Sequence, residues 1–430
     1  MSEQKITPVR RICGETSLPG DKSISHRYAL LAAIARGAST IENYSPAADC
    51  ASTLGCIEAL GARVRRENGH VEIEGDGLDG LRAPAAPLDA GNSGTTLRLL
   101  AGVLAGQAFE SVLTGDDSLR RRPMKRIVEP LTRMGAKVEA ERGEFPPLRI
   151  RGGELEAIRY EMPIPSAQVK SCVLLAGLYA RGSTTVTESV ATRDHTERAL
   201  AEFGARIAAT AGMATIAGGS PLEARTLEVP GDLSAATFLI AATLLLPGSE
   251  LRLRHVGLNP TRTAVLDFLI SMGAKIRVSG ERTVGGEPRG DIEVRHAPLD
   301  GGVASGGVSA RMIDELPMLA ALGPFTQRGI TILDARELRV KETDRIAALV
   351  ENIRRMGGRA ESFPDGITVA GRSAGPLHGA EIEPYGDHRI AMAFAVAGLA
   401  AEGETTIQNA ECVGVSFPAF FQTIEQLAER

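Results

Sequence analysis

The 430-residue chain contains no tryptophan, and only 4% of its residues are aromatic. It has no run of about 18 or more apolar residues, which a membrane-spanning helix needs, and its first residues lack the apolar core of a signal peptide. Its five cysteines form no Cys-x-x-Cys pair, and its seven histidines show no His-Glu-x-x-His spacing. We therefore expect a cytoplasmic protein with no membrane association, no disulfide framework and no metal site.

The charge and length narrow the class of protein further. The net charge is −5, which indicates no general affinity for nucleic acid, so any site for an anion must be a local cluster of cations. A chain of 430 residues with 43% hydrophobic content has the size and composition of a globular protein with two or three domains.

A short signature recurs along the chain, each time centred on a glycine that follows an amphipathic segment. The glycines are Gly61, Gly135, Gly204, Gly273 and Gly357, at steps of 74, 69, 69 and 84 residues. A period near 70 residues predicts one supersecondary unit used repeatedly. We predict that each glycine ends a helix and that the basic and β-branched residues after it begin a strand.

Each repeat also contains an earlier segment that is apolar on nearly every side of a helix. The segments are 28–35, 97–105, 173–180, 238–246, 316–322 and 390–400. Helices without a polar face belong in a core. Residues 250–256 alternate polar and apolar, and 184–188 nearly do, which is typical of strands with one wet face. The pattern predicts an α/β fold of six repeats with helices inside and sheets outside.

Two nearly identical segments divide the repeats into two groups of three. Leu-Pro-Gly-Asp-Lys-Ser spans 18–23, and Val-Pro-Gly-Asp-Leu-Ser spans 229–234. We predict hinges near 19–20 and 230–231, one domain over 20–229, and a second domain over 1–19 plus 231–430. The sixth repeat stops without its closing strands, and segment 6–16 is expected to supply one.

The six apolar helices all begin with polar residues. These are Lys22, Ser23 and Arg27; 91–96 with Arg98; 166–170; Asp232 and Ser234; Asp314 and Glu315; and 386–389. Each cap alone is compatible with ordinary helix capping. Lysine and arginine have no such role at a helix start, where the helix dipole disfavours cations. We expect these starts to converge on a cleft between the two domains, a common place for small-molecule sites.

Two further loops concentrate charge. Residues 120–122 are three consecutive arginines, whose guanidinium groups suit a bidentate grip on phosphate or carboxylate, although a solvated surface loop is the alternative. Lys341 and Arg345 are four residues apart, which places them on one helix face if the segment is helical, with Glu342 alongside. An exposed ladder of ion pairs is the alternative there.

Nine motifs in order resemble the 5-enolpyruvylshikimate-3-phosphate synthase family over about residues 18–425. They are GDKSISHR, GNSGTTLR, LRRRPM, SAQVK, RDHTE, NPTR, IDELPMLA, LRVKETDR and GDHRIAMA. The GDKS, SAQVK, RDHTE and NPTR motifs are similar to those of the second class of the family. The resemblance implies a two-domain inside-out α/β barrel, with three βαβαββ units in each domain and helices inside the sheets.

The resemblance also implies a reaction. Family members transfer the enolpyruvyl group of phosphoenolpyruvate to the 5-hydroxyl of shikimate 3-phosphate and release phosphate, through a tetrahedral intermediate and with no metal or cofactor. Both substrates are polyanions, so a protein with net negative charge needs a local cluster of cations to bind them. We expect a monomer whose partners are these two small molecules.

Site residues carry over from the matching motifs. For shikimate 3-phosphate they are Lys22, Ser23, Arg27, Ser166, Ala167, Gln168, Arg193, Asp314 and Lys341. For phosphoenolpyruvate they are Lys22, Gly94, Arg122, Gln168, Arg345 and Arg389. The resemblance gives Asp314 as the base for the attacking hydroxyl, and Glu342 with Lys22 as proton carriers at the methylene carbon.

The sequence departs from the family pattern at one position, and three other functions were considered. Val415 stands where many first-class members have a lysine, so one cation is missing near phosphoenolpyruvate. The sister family that acts on UDP-N-acetylglucosamine carries a cysteine in the loop before its Arg-Pro, whereas the loop 115–123 has none. Gly20-Asp-Lys-Ser lacks the Gly-Lys adjacency of a P-loop. A non-catalytic repeat scaffold is the third alternative, and it gives no reason for the charged helix starts.

Overall fold

The computed structural model describes residues 2–430, and within them no helix is long and apolar enough to cross a membrane. The α-helices are α1 (Lys22–Ala33), α2 (Ala48–Ala59), α3 (Gly94–Ala105), α4 (Lys125–Arg133), α5 (Ala167–Gly177), α6 (His195–Glu202), α7 (Leu233–Leu245), α8 (Ala264–Ser271), α9 (Gly306–Arg311), α10 (Leu316–Leu322), α11 (Arg345–Arg355), α12 (His388–Gly398) and α13 (Phe420–Leu427).

The strands alternate with these helices along the whole described chain. They are β1 (Gln4–Ile6), β2 (Arg11–Ser17), β3 (Arg36–Glu42), β4 (Arg63–Glu67), β5 (His70–Asp76), β6 (Leu88–Asp89), β7 (Glu110–Thr114), β8 (Lys137–Glu141), β9 (Phe145–Arg151), β10 (Leu155–Glu156), β11 (Arg159–Glu161), β12 (Ala180–Arg181), β13 (Ser183–Thr187), β14 (Ile207–Thr210), β15 (Met213–Ala217), β16 (Thr226–Glu228), β17 (Glu250–Gly257), β18 (Lys275–Val284), β19 (Glu287–Arg295), β20 (Gly302–Ala304), β21 (Ile330–Ile332), β22 (Ala360–Phe363), β23 (Gly366–Val369), β24 (Glu381–Ile382), β25 (Thr405–Ile407) and β26 (Ala428–Glu429).

The five signature glycines end helices, as the sequence predicts. They follow α2, α4, α6, α8 and α11, with φ between +83° and +109°, and β4, β8, β14, β18 and β22 come next. Only glycine adopts this left-handed conformation without steric cost, so the chain reverses direction there and starts a strand.

The chain divides into two compact units, which we call the amino-terminal unit (20–229 with 283–287) and the carboxy-terminal unit (2–19, 230–282 and 288–430). The amino-terminal unit contains three four-stranded sheets with the orders β16-β3-β5-β4, β6-β7-β9-β8 and β11-β13-β15-β14. In each sheet the first two strands are parallel and the remaining pairs are antiparallel. The same supersecondary arrangement therefore occurs three times in this unit.

The carboxy-terminal unit has a five-stranded sheet (β18-β19-β17-β2-β26), a four-stranded sheet (β20-β21-β23-β22) and a three-stranded sheet (β1-β25-β24). The two ends of the chain meet in this unit. Strand β1 pairs with β25, and β2 lies between β17 and β26. The expectation that segment 6–16 supplies a strand to the last repeat is therefore confirmed.

The apolar helices form the core of each unit. Every residue of α7 and α12 is buried, and α1, α3 and α5 are buried along nearly their whole length. A β-carbon at Gly102 of α3 would lie 2.3 Å from the Cys172 carbonyl oxygen of α5, so these two backbones meet closely. Strands such as β5 and β9 instead bury alternate residues, as the sequence predicts for half-buried sheets.

A bulge in β17 is fixed by one carboxylate. The pairing of β17 with β19 shifts register between Leu253 and Val256, and His255 has a φ of +52°. Asp291 accepts a hydrogen bond from the His255 backbone N–H at 3.1 Å and from Arg254 Nη1 at 2.6 Å. Burial alone would raise the pKa of Asp291, but the His255 N–H and the neighbouring guanidinium groups lower it to about 2.

We predict that Asp291→Asn destabilises the protein in a pH-dependent way. The pKa of Asp291 is about 2 in the fold against 3.8 for an ordinary aspartate. Its stabilisation, roughly 2 kcal/mol, is present above pH ~4 and lost as the pH falls towards ~2. The difference in urea stability between the variant and the native protein should narrow as pH falls from 7 to 3. Glu361→Gln, an exposed carboxylate on β22, serves as the control, and a pH-independent difference for Asp291→Asn would contradict the account.

Candidate functional site

The start of α1 carries Lys22 and Arg27 in very different surroundings. Asp21 caps the helix, because its carboxylate accepts the Ile24 N–H at 3.0 Å. Lys22 is the first helical residue, and its Nζ donates to Asp49 Oδ2 at 2.8 Å. This carboxylate offsets the cation where the helix dipole disfavours positive charge.

Arg27 lies one turn further along α1 and is 4% exposed. Its Nε donates to Thr196 Oγ1 at 2.7 Å and its Nη2 to Ser171 Oγ at 2.9 Å. Its Nη1 donates to the Ser23 carbonyl at 2.7 Å. These are neutral oxygens, so the guanidinium is oriented by groups that do not cancel its charge.

The pKa of Arg27 is lowered by its surroundings. Burial and, to a smaller extent, the positive charge of Arg193 lower it, the carboxylates of Glu197 and Asp21 oppose them, and the net pKa is about 10. Arg193 is therefore close enough for its charge to act on Arg27.

The start of α5 is joined to the start of α3. Ser166 caps α5 by accepting the Val169 N–H at 3.4 Å. Gln168 Oε1 accepts from Arg98 Nη1 at 2.6 Å, and Gln168 Nε2 donates to Thr95 Oγ1 at 2.9 Å. The amide thus links one turn of each helix, next to Ala167, the first residue of α5.

Arg122 lies beside the start of α3. Its Nη2 donates to Asn92 Oδ1 at 2.8 Å and to Ser118 Oγ at 3.1 Å. A β-carbon at Gly94 would lie 3.6 Å from Arg122 Nη1 and 2.8 Å from Arg98 Nη1. Gly94, Arg122, Arg98 and Gln168 are therefore contiguous.

The three arginines at 120–122 differ in exposure, and the alternative of a solvated loop applies to the first two. Arg122 is 8% exposed, but Arg120 and Arg121 are exposed, and Arg120 pairs with Asp117 at 2.6 Å. Residues Leu119–Arg121 form a 3-10 turn, so successive side chains point in different directions.

In the carboxy-terminal unit, Arg345 is the centre of an ionic cluster. It is 1% exposed, its Nε donates to Asp387 Oδ2 at 2.8 Å, and its Nη2 donates to Glu342 Oε2 at 2.6 Å. Burial alone would lower the pKa of Arg345, but the carboxylates of Asp387, Glu342 and Asp314 raise it above its ordinary value. This guanidinium is therefore permanently charged and, unlike Arg27, paired with carboxylates.

Asp314 lies within ion-pair distance of three cations. Its Oδ1 is 3.9 Å from Lys341 Nζ and 3.8 Å from Arg345 Nη1, and its Oδ2 is 3.9 Å from Arg389 Nη2. Arg389 Nη1 also donates to the Asp314 carbonyl at 2.6 Å. Burial lowers the pKa of Lys341, and Asp314 opposes that shift. At 18% exposure, the Asp314 carboxylate is held by cations and still accessible to a hydroxyl.

Lys341 and Arg345 do not share a helix, so the condition for a common helix face is not met. The chain forms a 3-10 turn over Arg336–Val340, leaves helical geometry at Lys341, and begins α11 only at Arg345, which Asp344 caps at 3.0 Å to the Ala347 N–H. The two cations nevertheless meet, because both point at Asp314.

The predicted site residues are divided between the two units. In the amino-terminal unit they are Lys22, Ser23, Arg27, Gly94, Arg122, Ser166, Ala167, Gln168 and Arg193. In the carboxy-terminal unit they are Asp314, Lys341, Glu342, Arg345 and Arg389.

Sequence reasoning missed the residues that hold these groups in place. They are Asp49, Ser171 and Thr196, together with Arg98 and Asp387, which were singled out only as parts of polar helix starts. Thr196 and Asp387 lie inside quoted motifs, which was a usable signal. Asp49 and Ser171 offered none, because their contacts arise only when separate helices pack.

Known proteins resemble this chain along its whole length. The profile of the family described as EPSP synthase (3-phosphoshikimate 1-carboxyvinyltransferase) matches residues 6–424. A 3-phosphoshikimate 1-carboxyvinyltransferase of Solibacter usitatus is 56% identical over 99% of this chain and 100% of its own, and one of Koribacter versatilis is 51% identical over the full length of both.

The solved structures agree. The EPSP synthase of Acinetobacter baumannii, at 40% sequence identity, superposes with a TM-score of 0.89 over 100% of this chain and 98% of its own. This mixed α/β chain therefore belongs to the EPSP synthase family and has that family's 3-phosphoshikimate 1-carboxyvinyltransferase activity in the shikimate pathway.

Proposed function

We propose that the two charged clusters hold phosphoenolpyruvate and shikimate 3-phosphate and move the protons of the reaction. The observation that carries this proposal is Arg27, a buried guanidinium oriented by hydroxyl and carbonyl oxygens rather than by a carboxylate. Burying a cation with only neutral partners is unfavourable, and an incoming phosphate removes that cost.

The proposed ligands of shikimate 3-phosphate are Lys22, Ser23, Arg27, Ser166, Ala167, Gln168, Arg193, Asp314 and Lys341. Arg27 and Arg193 are the proposed phosphate ligands, since Arg193 acts electrostatically on Arg27. The starts of α1 and α5 add backbone N–H groups, which favour anions.

The proposed ligands of phosphoenolpyruvate are Lys22, Gly94, Arg122, Gln168, Arg345 and Arg389. Gly94 leaves space beside the Arg122 guanidinium, which can then approach a carboxylate or phosphate in the bidentate geometry that arginine favours.

We propose that Asp314 takes the proton of the 5-hydroxyl as that oxygen attacks the enolpyruvyl carbon. Glu342 and Lys22 deliver a proton to the methylene carbon and take one back from it when phosphate leaves. The proton held by Asp314 passes to the departing phosphate, which closes the proton balance. Lys341, Arg345 and Arg389 balance Asp314, Glu342 and Asp387 in charge. An arriving anion therefore favours the protonated form of Glu342, which fits its role as acid.

The finer features of the family belong to the same proposal. They are an inside-out barrel of six βαβαββ repeats, two domains that correspond to the two units, membership of the second class, a monomeric state and a cytoplasmic location. The three repeated sheets of the amino-terminal unit support the repeat assignment.

The direct test of the proposed function is phosphate release from purified protein. Release should require phosphoenolpyruvate and shikimate 3-phosphate together, and addition of EDTA should not change the rate. Release with UDP-N-acetylglucosamine in place of shikimate 3-phosphate would favour the sister family instead.

Arg122→Ala and Asp314→Asn should affect different kinetic constants, the first mainly KM and the second mainly kcat. Loss of the Arg122 guanidinium should raise the KM for phosphoenolpyruvate by about 10- to 100-fold, because a charge-assisted contact is worth roughly 1.5–3 kcal/mol. Asp314→Asn should lower kcat by about 10²- to 10⁴-fold, the usual contribution of a general base. The exposed neighbour Arg121→Ala is the matched control, and near-native rates in both test variants would refute the roles.

Gly94→Ala should weaken the binding of the inhibitor glyphosate more than the binding of phosphoenolpyruvate. Glyphosate is longer, so a methyl group beside Arg122 should cost it about 1–3 kcal/mol, or one to two powers of ten in affinity, with a smaller effect on phosphoenolpyruvate. The native protein should show competitive inhibition. Gly55→Ala in α2, where a β-carbon meets nothing within 4 Å, controls for the substitution itself. Equal inhibition constants for native and Gly94→Ala protein would show that Gly94 does not line the site.

A further inference from the structure

A buried ionic network lies behind the proposed phosphate ligands and has no part in the chemistry described above. Lys170 Nζ on α5 is 2.8 Å from Glu188 Oε1 and 2.7 Å from Glu197 Oε1. The three side chains are 4%, 3% and 7% exposed. The Lys170 ammonium forms ion pairs with two buried carboxylates, although Lys170 belongs to the SAQVK motif, whose other residues are proposed to bind substrate.

The network fixes the loop 188–194. Glu188 Oε1 accepts the Thr192 N–H at 3.0 Å, and Glu188 Oε2 accepts the Thr192 hydroxyl at 2.7 Å. Lys170 Nζ also donates to the Thr192 carbonyl at 3.4 Å. Both ends of this loop segment are thereby held around one ammonium, and Arg193 is the next residue.

The network also fixes the first turn of α6. Glu197 lies in that turn, and its neighbour Thr196 accepts the hydrogen bond from Arg27 Nε at 2.7 Å. Thr196 Oγ1 is 2.6 Å from Ser171 Oγ, which follows Lys170 on α5. Lys170 therefore lies between the backbone that carries Arg193 and the hydroxyls that orient Arg27.

Burying three charged side chains in this network has a free-energy cost. Burial raises the pKa of Glu197, and Lys170 opposes that rise. Two buried carboxylates beside one ammonium are less stable than an apolar contact of the same volume, so simple packing gives no reason for the arrangement. A need to hold the loop 188–194 in one conformation would explain the buried network.

We propose that Lys170 is a positioning residue, which holds the loop 188–194 against the first turn of α6 so that Arg193 meets the phosphate of shikimate 3-phosphate beside Arg27. This inference rests on the proposed roles of Arg193 and Arg27. Lys170 itself does not touch the substrate.

The test is a pair of double-mutant cycles read on the KM for shikimate 3-phosphate. Lys170→Met should raise this KM by about tenfold or more, while kcat and the KM for phosphoenolpyruvate change little. Thr192→Val removes one hydroxyl contact to Glu188, keeps the loop's shape, and should raise the same KM about three- to tenfold. Thr192→Val also keeps the test valid if Lys170→Met fails to fold.

Each variant is combined with Arg193→Ala. If Lys170 and Thr192 act through Arg193, their effects should largely disappear in the Arg193→Ala background, since coupled residues are non-additive. Thr185→Val, which removes a hydroxyl contact to Thr215 at 2.9 Å on a sheet of the same unit, should leave all kinetic constants unchanged.

Two results would overturn the inference, and they differ in meaning. If Arg193→Ala raises the KM but the other substitutions add to it in full, Lys170 does not position Arg193 and the proposed function stands. If Arg193→Ala leaves the KM for shikimate 3-phosphate unchanged, the assignment of Arg193 as a ligand fails, and the positioning role fails with it.

Discussion

The structure depends on how cations are kept charged at buried helix starts. A lysine or arginine there opposes the helix dipole and loses its hydration, so it needs oxygen partners from elsewhere in the fold. Asp49 accepts a hydrogen bond from Lys22. Thr196 and Ser171 accept hydrogen bonds from Arg27, and Asp387 accepts one from Arg345. The partners come from different helices, so the repeated folding unit is what makes the charged sites possible.

The two units meet this constraint in opposite ways. Arg27 is held by hydroxyl and carbonyl oxygens, and burial lowers its pKa to about 10. Arg345 is held by carboxylates, which raise its pKa above the ordinary value. The first arrangement suits the proposed binding of a phosphate, and the second is a cluster of three cations and three carboxylates. The proposed roles in binding and in proton transfer thus rest on different local electrostatics.

Much of the fold follows from local sequence, while much of the site does not. The glycine after each amphipathic segment, as at Gly61 or Gly357, predicts a helix end because only glycine tolerates the required φ. Asp49 carried no such signal, since its contact with Lys22 joins two helices. The sequence did not decide whether Lys341 and Arg345 share a helix, since the start of α11 at Arg345 is set by the cap that Asp344 provides. The hinge roles of 19–20 and 230–231 stay predictions.

The central claim is that Arg27, whose guanidinium is oriented by hydroxyl and carbonyl oxygens, binds the phosphate of shikimate 3-phosphate. Calorimetric titration of shikimate 3-phosphate into the protein without phosphoenolpyruvate tests it directly, with Arg27→Lys as the comparison. Lysine keeps the charge but cannot make the three directed contacts of the guanidinium, so we predict at least about tenfold weaker binding. Equal dissociation constants for the two proteins would contradict the account.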